Sequence, residues 1–184
     1  FMSAPEKSKT LKIWLPIVIL FVACLAMLGW WMQSKRVSQE QRDEYGIKMS
    51  EAEKYLNTRE YALALNKYYE AAEVIPSNIS AYEGIIRILL QKNRPSDAFN
   101  IVDKSANALS PTDRSHLYVM IGNYYYENGD YNRAKEMCQN GIGLGVENMN
   151  ADLMLGKSLL NLGKINEAKR EFELDGYKDA DLIE

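Results

Sequence analysis

The feature that most constrains this chain is a pattern that recurs four times after residue 44. A column of alanines has spacings of 34, 36 and 34 residues, and a column of mostly small residues lies twelve positions before it. Two further columns of mostly apolar residues follow, three positions after the small residue and four after the alanine. The four columns are Ala52, Ile86, Gly122 and Gly156; Tyr55, Leu89, Tyr125 and Leu159; Ala64, Ala98, Ala134 and Ala168; and Tyr68, Val102, Cys138 and Phe172. Because the columns keep one register, they predict a stack of similar units.

Each unit is predicted to be a helical hairpin. Small residues allow two helix backbones to approach closely, and apolar residues three or four positions away fill the grooves beside that contact. Turn-forming segments separate the two helices of each unit, at residues 57–59, 92–95, 128–129 and 162–163. A single hairpin cannot bury its own apolar face, so three or more must stack. The predicted fold class is all-α.

Two stretches carry a resemblance to a known family. EYALALNKYYEAAEVIPSN, which ends at Asn78, places an alanine, an aromatic residue, a second alanine and a proline as in the family's second helix. IGNYYYENGDYNRAKEMCQNGI, which begins at Ile121, contains the small residue, the aromatic residue, the turn and the packing alanine of a whole hairpin. The chain therefore resembles the tetratricopeptide-repeat (TPR) family. The resemblance implies an α-solenoid of about four hairpins over residues 45–175, with repeats at 45–78, 79–112, 115–148 and 149–175 and a tail at 176–184.

Two repeats depart from the pattern. The second has bulky Ile86 in the small-residue position, with Gly84 as a candidate compensation, and two extra residues precede Ser115. We therefore expect distorted packing between repeats two and three. The fourth repeat has Asp175 where a small residue is usual, so the repeats themselves are expected to leave its outer face partly uncovered. Either the tail at 176–184 folds back over that face or a partner covers it, and we favour the partner because nine residues are too few for a helix that is stable without packing. The apolar residues assigned to that repeat are Leu155, Leu159, Leu162 and Phe172.

An uncharged stretch precedes the repeats. Residues 13–32 read IWLPIVILFVACLAMLGWWM and lie between Lys12 and Lys35-Arg36. As a helix with about 1.5 Å per residue, this stretch would cross the roughly 30 Å hydrocarbon core of a bilayer. Tryptophans near both ends favour the membrane interfaces. We predict one transmembrane helix at 13–32, between a tail at 1–12 and a linker at 33–44, so that the chain resembles the membrane-anchored bacterial type of the family.

Two other interpretations of this stretch are less favourable. A cleaved signal peptide has an apolar run of about 7–15 residues followed by small residues, whereas this run ends in Gly-Trp-Trp-Met. A lipoprotein signal at Cys24 stays open as a minor alternative, although the residues after Cys24 remain strongly apolar. Because Cys24 lies in the apolar stretch and Cys138 in the repeats, no disulfide between them is expected.

Charge is distributed unevenly along the chain. Residues 1–36 contain five basic and one acidic residue, whereas the remainder contains 17 basic and 24 acidic residues, a net charge of −7. Binding to nucleic acid needs a dense positive surface, so nucleic acid is not expected as a partner. Basic residues flank both ends of 13–32, and the positive-inside rule gives a narrow preference. We expect the N-terminus in the cytoplasm and the repeats on the periplasmic side of the inner membrane.

The sequence contains no recognisable catalytic constellation. His116 is the only histidine, which removes most general-base, zinc-site and catalytic-triad schemes. The run from Gly141 to Gly145 has neither a preceding strand nor a following Gly-Lys-Ser/Thr, so we interpret it as a helix end and not a phosphate-binding loop. We predict a protein without enzyme activity, metal, cofactor or small-molecule substrate.

The TPR resemblance implies a groove that is lined by the first helices of the repeats and binds a segment of another protein. The positions predicted to line this groove are Met49, Glu53, Leu56, Glu83, Arg87, Leu90, Val119, Asn123, Tyr126, Leu153, Lys157 and Leu160. The positions predicted to pack the repeats together are Ala52, Ala64, Ala98, Gly122, Ala134, Gly156 and Ala168.

The predicted function is therefore a membrane-tethered scaffold for protein–protein interactions. We expect an accessory or assembly subunit of a larger membrane or envelope complex, with other membrane or envelope proteins as partners and the lipid bilayer in contact with residues 13–32. The alternative is a regulatory adaptor that faces the cytoplasm and recruits an enzyme or protease to the membrane.

Overall fold

The structure is a computed structural model that describes residues 37–174 together with residues 18, 20–25 and 27. The chain divides into two units, Phe1–Gln39 and Glu40–Glu184. Residues 37–174 form eight α-helices and one 3-10 helix. These helices are α1 (Gln39–Asn57), α2 (Tyr61–Val74), α3 (Ile79–Gln91), α4 (Pro95–Lys104), the 3-10 helix (Ser105–Asn107), α5 (Pro111–Glu127), α6 (Tyr131–Ile142), α7 (Met149–Asn161) and α8 (Ile165–Leu174).

The predicted membrane stretch at 13–32 lies mostly outside the described residues. Within it, residues 18, 20–25 and 27 are helical and exposed. No helix among the described residues is both long and apolar enough to cross a membrane. The transmembrane assignment therefore stays a prediction, and the tails at 1–12 and 176–184 also lie outside the described part.

The first helix is longer than the sequence pattern indicated. We expected a linker up to residue 44, but α1 begins at Gln39. Residues 39–44 read QEQRDE, which are mostly good helix formers, and Glu40 in the first turn favours the positive end of the helix dipole. The repeat motif does not cover this turn, so it could not mark the true start of the helix.

The four hairpins share one turn. In each, a residue with positive φ follows the first helix, and these residues recur at the same spacings as the packing alanines. They are Arg59 (62°), Asn93 (56°), Gly129 (76°) and Gly163 (74°). The next residue donates its N–H to a carbonyl five residues earlier, as Glu60 does to Tyr55 at 2.8 Å, in the pattern of a Schellman cap. The Glu60 carbonyl then accepts the N–H of Ala64 at 3.0 Å. In the first hairpin, Glu60 is therefore hydrogen-bonded both to the end of the first helix and to the packing alanine of the second helix.

The packing columns lie where the two helices of a hairpin meet. The alanines of the column are 0% exposed, namely Ala64, Ala98, Ala134 and Ala168. A Cβ built on Gly156 would lie 2.4 Å from Cε1 of Phe172, and one on Gly122 would lie 3.4 Å from Sγ of Cys138. The first helix of repeats three and four therefore lies directly against the second helix of the same hairpin.

In repeat two, bulky Ile86 occupies the small-residue position, and the close contact between helices is at Gly84 instead. Ile86 is fully buried, and a Cβ on Gly84 would lie 2.4 Å from Cε1 of Tyr68 in the preceding hairpin. The Ser105–Asn107 3-10 helix extends α4 and takes up the longer spacing. Inside it, the buried Ser105 hydroxyl donates to the Val102 carbonyl at 2.7 Å.

Repeat four corrects one expectation. We expected its leucines and Phe172 to contribute to a partly uncovered outer face, but Leu155, Leu159 and Phe172 are only 5%, 3% and 9% exposed. They form a cluster with Ala168 and with Cys138 of repeat three. These residues hold the last two repeats together.

The close contact at Gly84 yields a stability prediction. Replacement of Gly84 by alanine places a methyl group inside the volume of the buried Tyr68 ring and should lower the unfolding free energy by about 1–2 kcal/mol, net of the better helix propensity of alanine. The matched control is Gly46→Ala in α1, where a Cβ meets nothing within 4 Å, so the change should add about 0.5–1 kcal/mol. Urea unfolding followed by circular dichroism measures both changes. Equal effects of the two substitutions would contradict the packing described here.

Candidate functional site

The first helices of consecutive hairpins form one surface. Helix α3 contacts α5, and α5 contacts α7. We call the solvent-facing side of α1, α3, α5 and α7 the first-helix surface. Its twelve predicted residues differ in accessibility, because Val119 is buried, Arg87 and Lys157 are exposed, and the other nine are intermediate.

Several predicted groove residues are committed to the core. Met49, Leu56, Leu90 and Tyr126 pack against the main apolar cluster, and Leu153 and Leu160 pack against the repeat-four cluster. Their apolar surface is already largely covered by this chain. These side chains therefore mainly stabilise the first-helix surface and leave little apolar area for contact with a ligand.

The N-terminal half of the surface is internally paired. The Tyr68 hydroxyl donates to Oε1 of Glu53 at 2.5 Å, and Nη1 of Arg87 lies 3.9 Å from the same oxygen. Burial raises the pKa of Tyr68 well above its usual value, and the bond to Glu53 raises it further. Tyr68 belongs to α2, so this contact fixes Glu53 against its own hairpin.

A second pair joins repeats two and three. Nε2 of His116 lies 3.1 Å from Oε1 of Glu83, with side-chain exposures of 50% and 29%. Glu83 was predicted to line the groove, whereas His116 was noted only as the single histidine of the sequence. The structure shows that the two residues link α3 to α5.

The C-terminal half of the surface contains a cavity between α5 and α7. Its volume is about 360 Å³. Its lining is His116, Val119, Met120 and Asn123 from α5 and Asn150, Leu153, Met154 and Lys157 from α7. Four of these were predicted to line the groove: Val119, Asn123, Leu153 and Lys157. The other four each lie three residues before a predicted one, so a stripe one helical turn wider would have found them.

Two tyrosine hydroxyls near this cavity form hydrogen bonds between repeats. The Tyr124 hydroxyl donates to Oδ1 of Asn93 at 2.6 Å, and Nδ2 of Asn161 donates to the Tyr126 hydroxyl at 3.0 Å. Tyr125 between them is buried, with the Arg133 guanidinium 5.5 Å from the centre of its ring. The tyrosine run therefore connects repeats two, three and four, and its middle residue packs in the core.

A second cavity lies on the opposite side of the stack, between the second helices α4 and α6. Its volume is about 270 Å³, and it is lined by Ser96, Phe99, Asn100, Tyr125, Arg133, Glu136 and Met137. The sequence did not predict it. The cavity forms where two hairpins stack, and the sequence spacing between these two hairpins is irregular. The recurring columns mainly mark contacts within one hairpin, so they could not predict it.

The remaining reactive groups show no arrangement for chemistry. Burial raises the pKa of the Cys138 thiol to about 12, so the thiol stays protonated and is a poor nucleophile. Within the described residues, no group of three or more His, Cys, Asp or Glu side chains is placed to hold a metal ion. Helix α6 ends at Ile142, and Gly145 has a φ of 72°, so the glycine run does form a helix end.

Comparison with known proteins supports a repeat fold. A protein-family model described as anaphase-promoting complex, cyclosome, subunit 3, matches residues 91–173. No curated protein matches the chain. Among solved structures, PilF of Pseudomonas aeruginosa is similar with 19% identity and a TM-score of 0.52, and the match covers 74% of this chain and 62% of that one.

Two further structures show the same likeness. MamA has 18% identity and a TM-score of 0.52, with 74% of each chain covered. A chain of an APC/C hetero-tetramer has 17% identity and a TM-score of 0.50, with 73% of this chain and 26% of that one covered. At these identities the likeness concerns the fold. The match to PilF spans less than two thirds of that protein's length.

The contact between Tyr68 and Glu53 yields a second stability prediction. Tyr68→Phe leaves the Glu53 carboxylate without its closest donor and should lower the unfolding free energy by about 1–2 kcal/mol. Tyr61→Phe is the control, because within residues 37–174 the Tyr61 hydroxyl makes no hydrogen bond. The phenylalanine ring keeps the contact with the Lys92 ammonium, which lies 3.8 Å from the ring centre, so the effect should stay within about 0.5 kcal/mol. Thermal and urea unfolding at neutral pH measure both. A Tyr68→Phe protein as stable as Tyr61→Phe would show that this bond contributes nothing.

Proposed function

We propose that this chain, whose fold is TPR-like, is a protein–protein interaction scaffold that binds a segment of a partner on its first-helix surface. The observation that carries the proposal is the cavity of about 360 Å³ between α5 and α7. It opens on the side where the first helices meet, and a helical or extended segment can lie along such a surface.

The character of the cavity favours a protein segment over a small substrate. Two methionines line it, and methionine side chains adapt to apolar groups of different shape. Its polar groups are two amides, His116 and Lys157, none of which forms a nucleophile–base pair with a neighbour among the described residues. Such a lining can hold a ligand but provides no evident means to transform it.

Membrane tethering is the second part of the proposal. Its support is the uncharged run at 13–32 with basic residues at both ends. A scaffold held at the bilayer meets its partners at a raised local concentration, which suits an accessory or assembly subunit of a membrane or envelope complex. The lipid bilayer would contact residues 13–32, and the repeats would lie on the periplasmic side.

Affinity purification of the full chain in mild detergent tests the binding surface. Asn123→Arg places a long cation in the cavity between α5 and α7, and Asn100→Arg makes the same change at the cavity between α4 and α6. We expect Asn123→Arg to reduce recovery of co-purifying membrane proteins about tenfold or more, because a bulky charge blocks the cavity. Asn100→Arg should leave recovery unchanged. The reverse ranking would contradict the assignment of the binding surface.

Alkaline carbonate extraction and a reporter fusion test the membrane part. The full chain should stay in the membrane fraction through the wash, and its release would refute a transmembrane helix at 13–32. A reporter at the C-terminus should be active on the periplasmic side. A cytoplasmic reporter would instead favour the alternative function, a regulatory adaptor that recruits an enzyme or protease to the membrane.

A further inference from the structure

The dipeptide Asn-Gly occurs twice in the sequence, at 128–129 and at 140–141. Asparagine loses its side-chain amide most readily when glycine follows it, because glycine has no side chain to hinder the approach of its backbone nitrogen to that amide. The structure places the two copies in different surroundings. Asn128-Gly129 forms the turn of the third hairpin, whereas Asn140-Gly141 lies in the last turn of α6.

The turn at Asn128-Gly129 is open to solvent. Both residues are exposed, and a Cβ built on Gly129 would meet nothing within 4 Å. Gly129 has a φ of 76°, and glycine moves between backbone conformations with little steric hindrance. Water can therefore reach the turn, and the Asn128 backbone has room to rotate until its side chain meets the next backbone nitrogen.

The other copy, Asn140-Gly141, is packed. Gly141 is buried, and a Cβ on it would lie 3.1 Å from Oγ and 3.3 Å from the carbonyl oxygen of Ser115 on α5. The same Ser115 hydroxyl accepts a hydrogen bond from Nδ2 of Asn148 at 2.8 Å. Rotation of this backbone would require α6 to move away from α5. An exposed turn opens at a lower free-energy cost than packed helices separate, so the structure distinguishes the two asparagines.

Two hydrogen bonds engage the groups that would react in the turn. Nδ2 of Asn128 donates to the Tyr124 carbonyl at 2.7 Å, and the Gly129 N–H donates to the Tyr126 carbonyl at 3.0 Å. Both bonds lie at the exposed end of α5, where local opening is most frequent. The turn therefore has to open locally before the reaction, but the hairpin does not have to unfold.

From these observations we propose that Asn128 is a site of spontaneous deamidation, which destabilises repeat three as the protein ages. The Gly129 nitrogen bonds to Cγ of Asn128, and its proton passes through solvent to the amide nitrogen, which leaves as ammonia. The product is a cyclic succinimide. Water then adds to either carbonyl carbon of the ring and breaks its bond to the Gly129 nitrogen, which leaves an aspartyl or an isoaspartyl residue. The reaction needs no partner, so it is independent of the proposed function.

Either product changes the third hairpin. An aspartyl residue puts a carboxylate at the negative end of the α5 dipole, where Glu127 and Asp130 are close in sequence. It also replaces the donor to the Tyr124 carbonyl by an acceptor. An isoaspartyl residue lengthens the backbone by one atom just before Asp130, whose carbonyl accepts the N–H of the packing residue Ala134 at 3.0 Å. Both changes should destabilise the contact between the helices of repeat three.

Ageing of the full chain in detergent at mildly alkaline pH, followed by peptide mapping with mass spectrometry, tests the reaction. The folded chain should gain the mass of deamidation at Asn128 at least about tenfold faster than at Asn140, because the exposed turn opens more readily. A protein isoaspartyl methyltransferase should label the aged peptide that contains residue 128. Equal rates at the two asparagines, a faster reaction at Asn140, or a reaction at Asn128 only after urea unfolds the chain would overturn the proposal.

Variants at residue 128 test the effect on the hairpin. In the first hairpin Thr58 has the place of Asn128, and its hydroxyl donates to the Lys54 carbonyl at 3.3 Å. Threonine thus supplies a similar bond and has no amide to lose. The midpoint of thermal unfolding should fall during ageing of the wild type, stay constant in Asn128→Thr, and be lower from the start in Asn128→Asp. A wild-type chain that is deamidated at Asn128 and still unfolds at the temperature of the fresh chain would refute the effect on repeat three.

Discussion

The close approach of two helices at a small residue is the contact on which the rest of the structure depends. The packing alanines at 64, 98, 134 and 168 have no exposed surface, and each N–H is bonded to the residue that ends the hairpin turn. Turn geometry and helix packing are therefore fixed by the same few atoms. A side chain larger than a methyl group at these positions would separate the two helices and remove the apolar contacts beside them.

The first-helix surface follows from that contact. When each hairpin closes in the same way, its first helix lies on the same side of the stack, and α5 meets both α3 and α7. Between α5 and α7 the side chains leave a cavity whose lining contains one permanent cation and no carboxylate. The packing of the hairpins thus places side chains from two repeats around one space, and neither repeat could form this site alone.

Features of a single hairpin could be predicted from the sequence, whereas features that depend on stacking mostly could not. The turn at Gly129 and the burial of Ala134 follow from local spacing. Gly84, which contacts Tyr68 of the preceding hairpin, is an exception, since the sequence indicated it as a candidate compensation for Ile86. The pairing of His116 with Glu83, and the cavity between α4 and α6, depend on how far one hairpin is displaced against the next. We expected Leu159 on a partly uncovered outer face, but it is buried. The repeat motif gives the periodicity of apolar residues and does not show which neighbouring helix covers each of them. Residues 13–32 could be assessed only by hydropathy.

Hydrogen–deuterium exchange of the full chain, alone and with a bound partner, tests the central claim most directly. Amide exchange reports the helices that a ligand stabilises. Binding on the first-helix surface predicts slower exchange in α5 and α7, with little change in α4 and α6. Protection confined to α4 and α6 would contradict the claim and place the partner on the second-helix side of the stack.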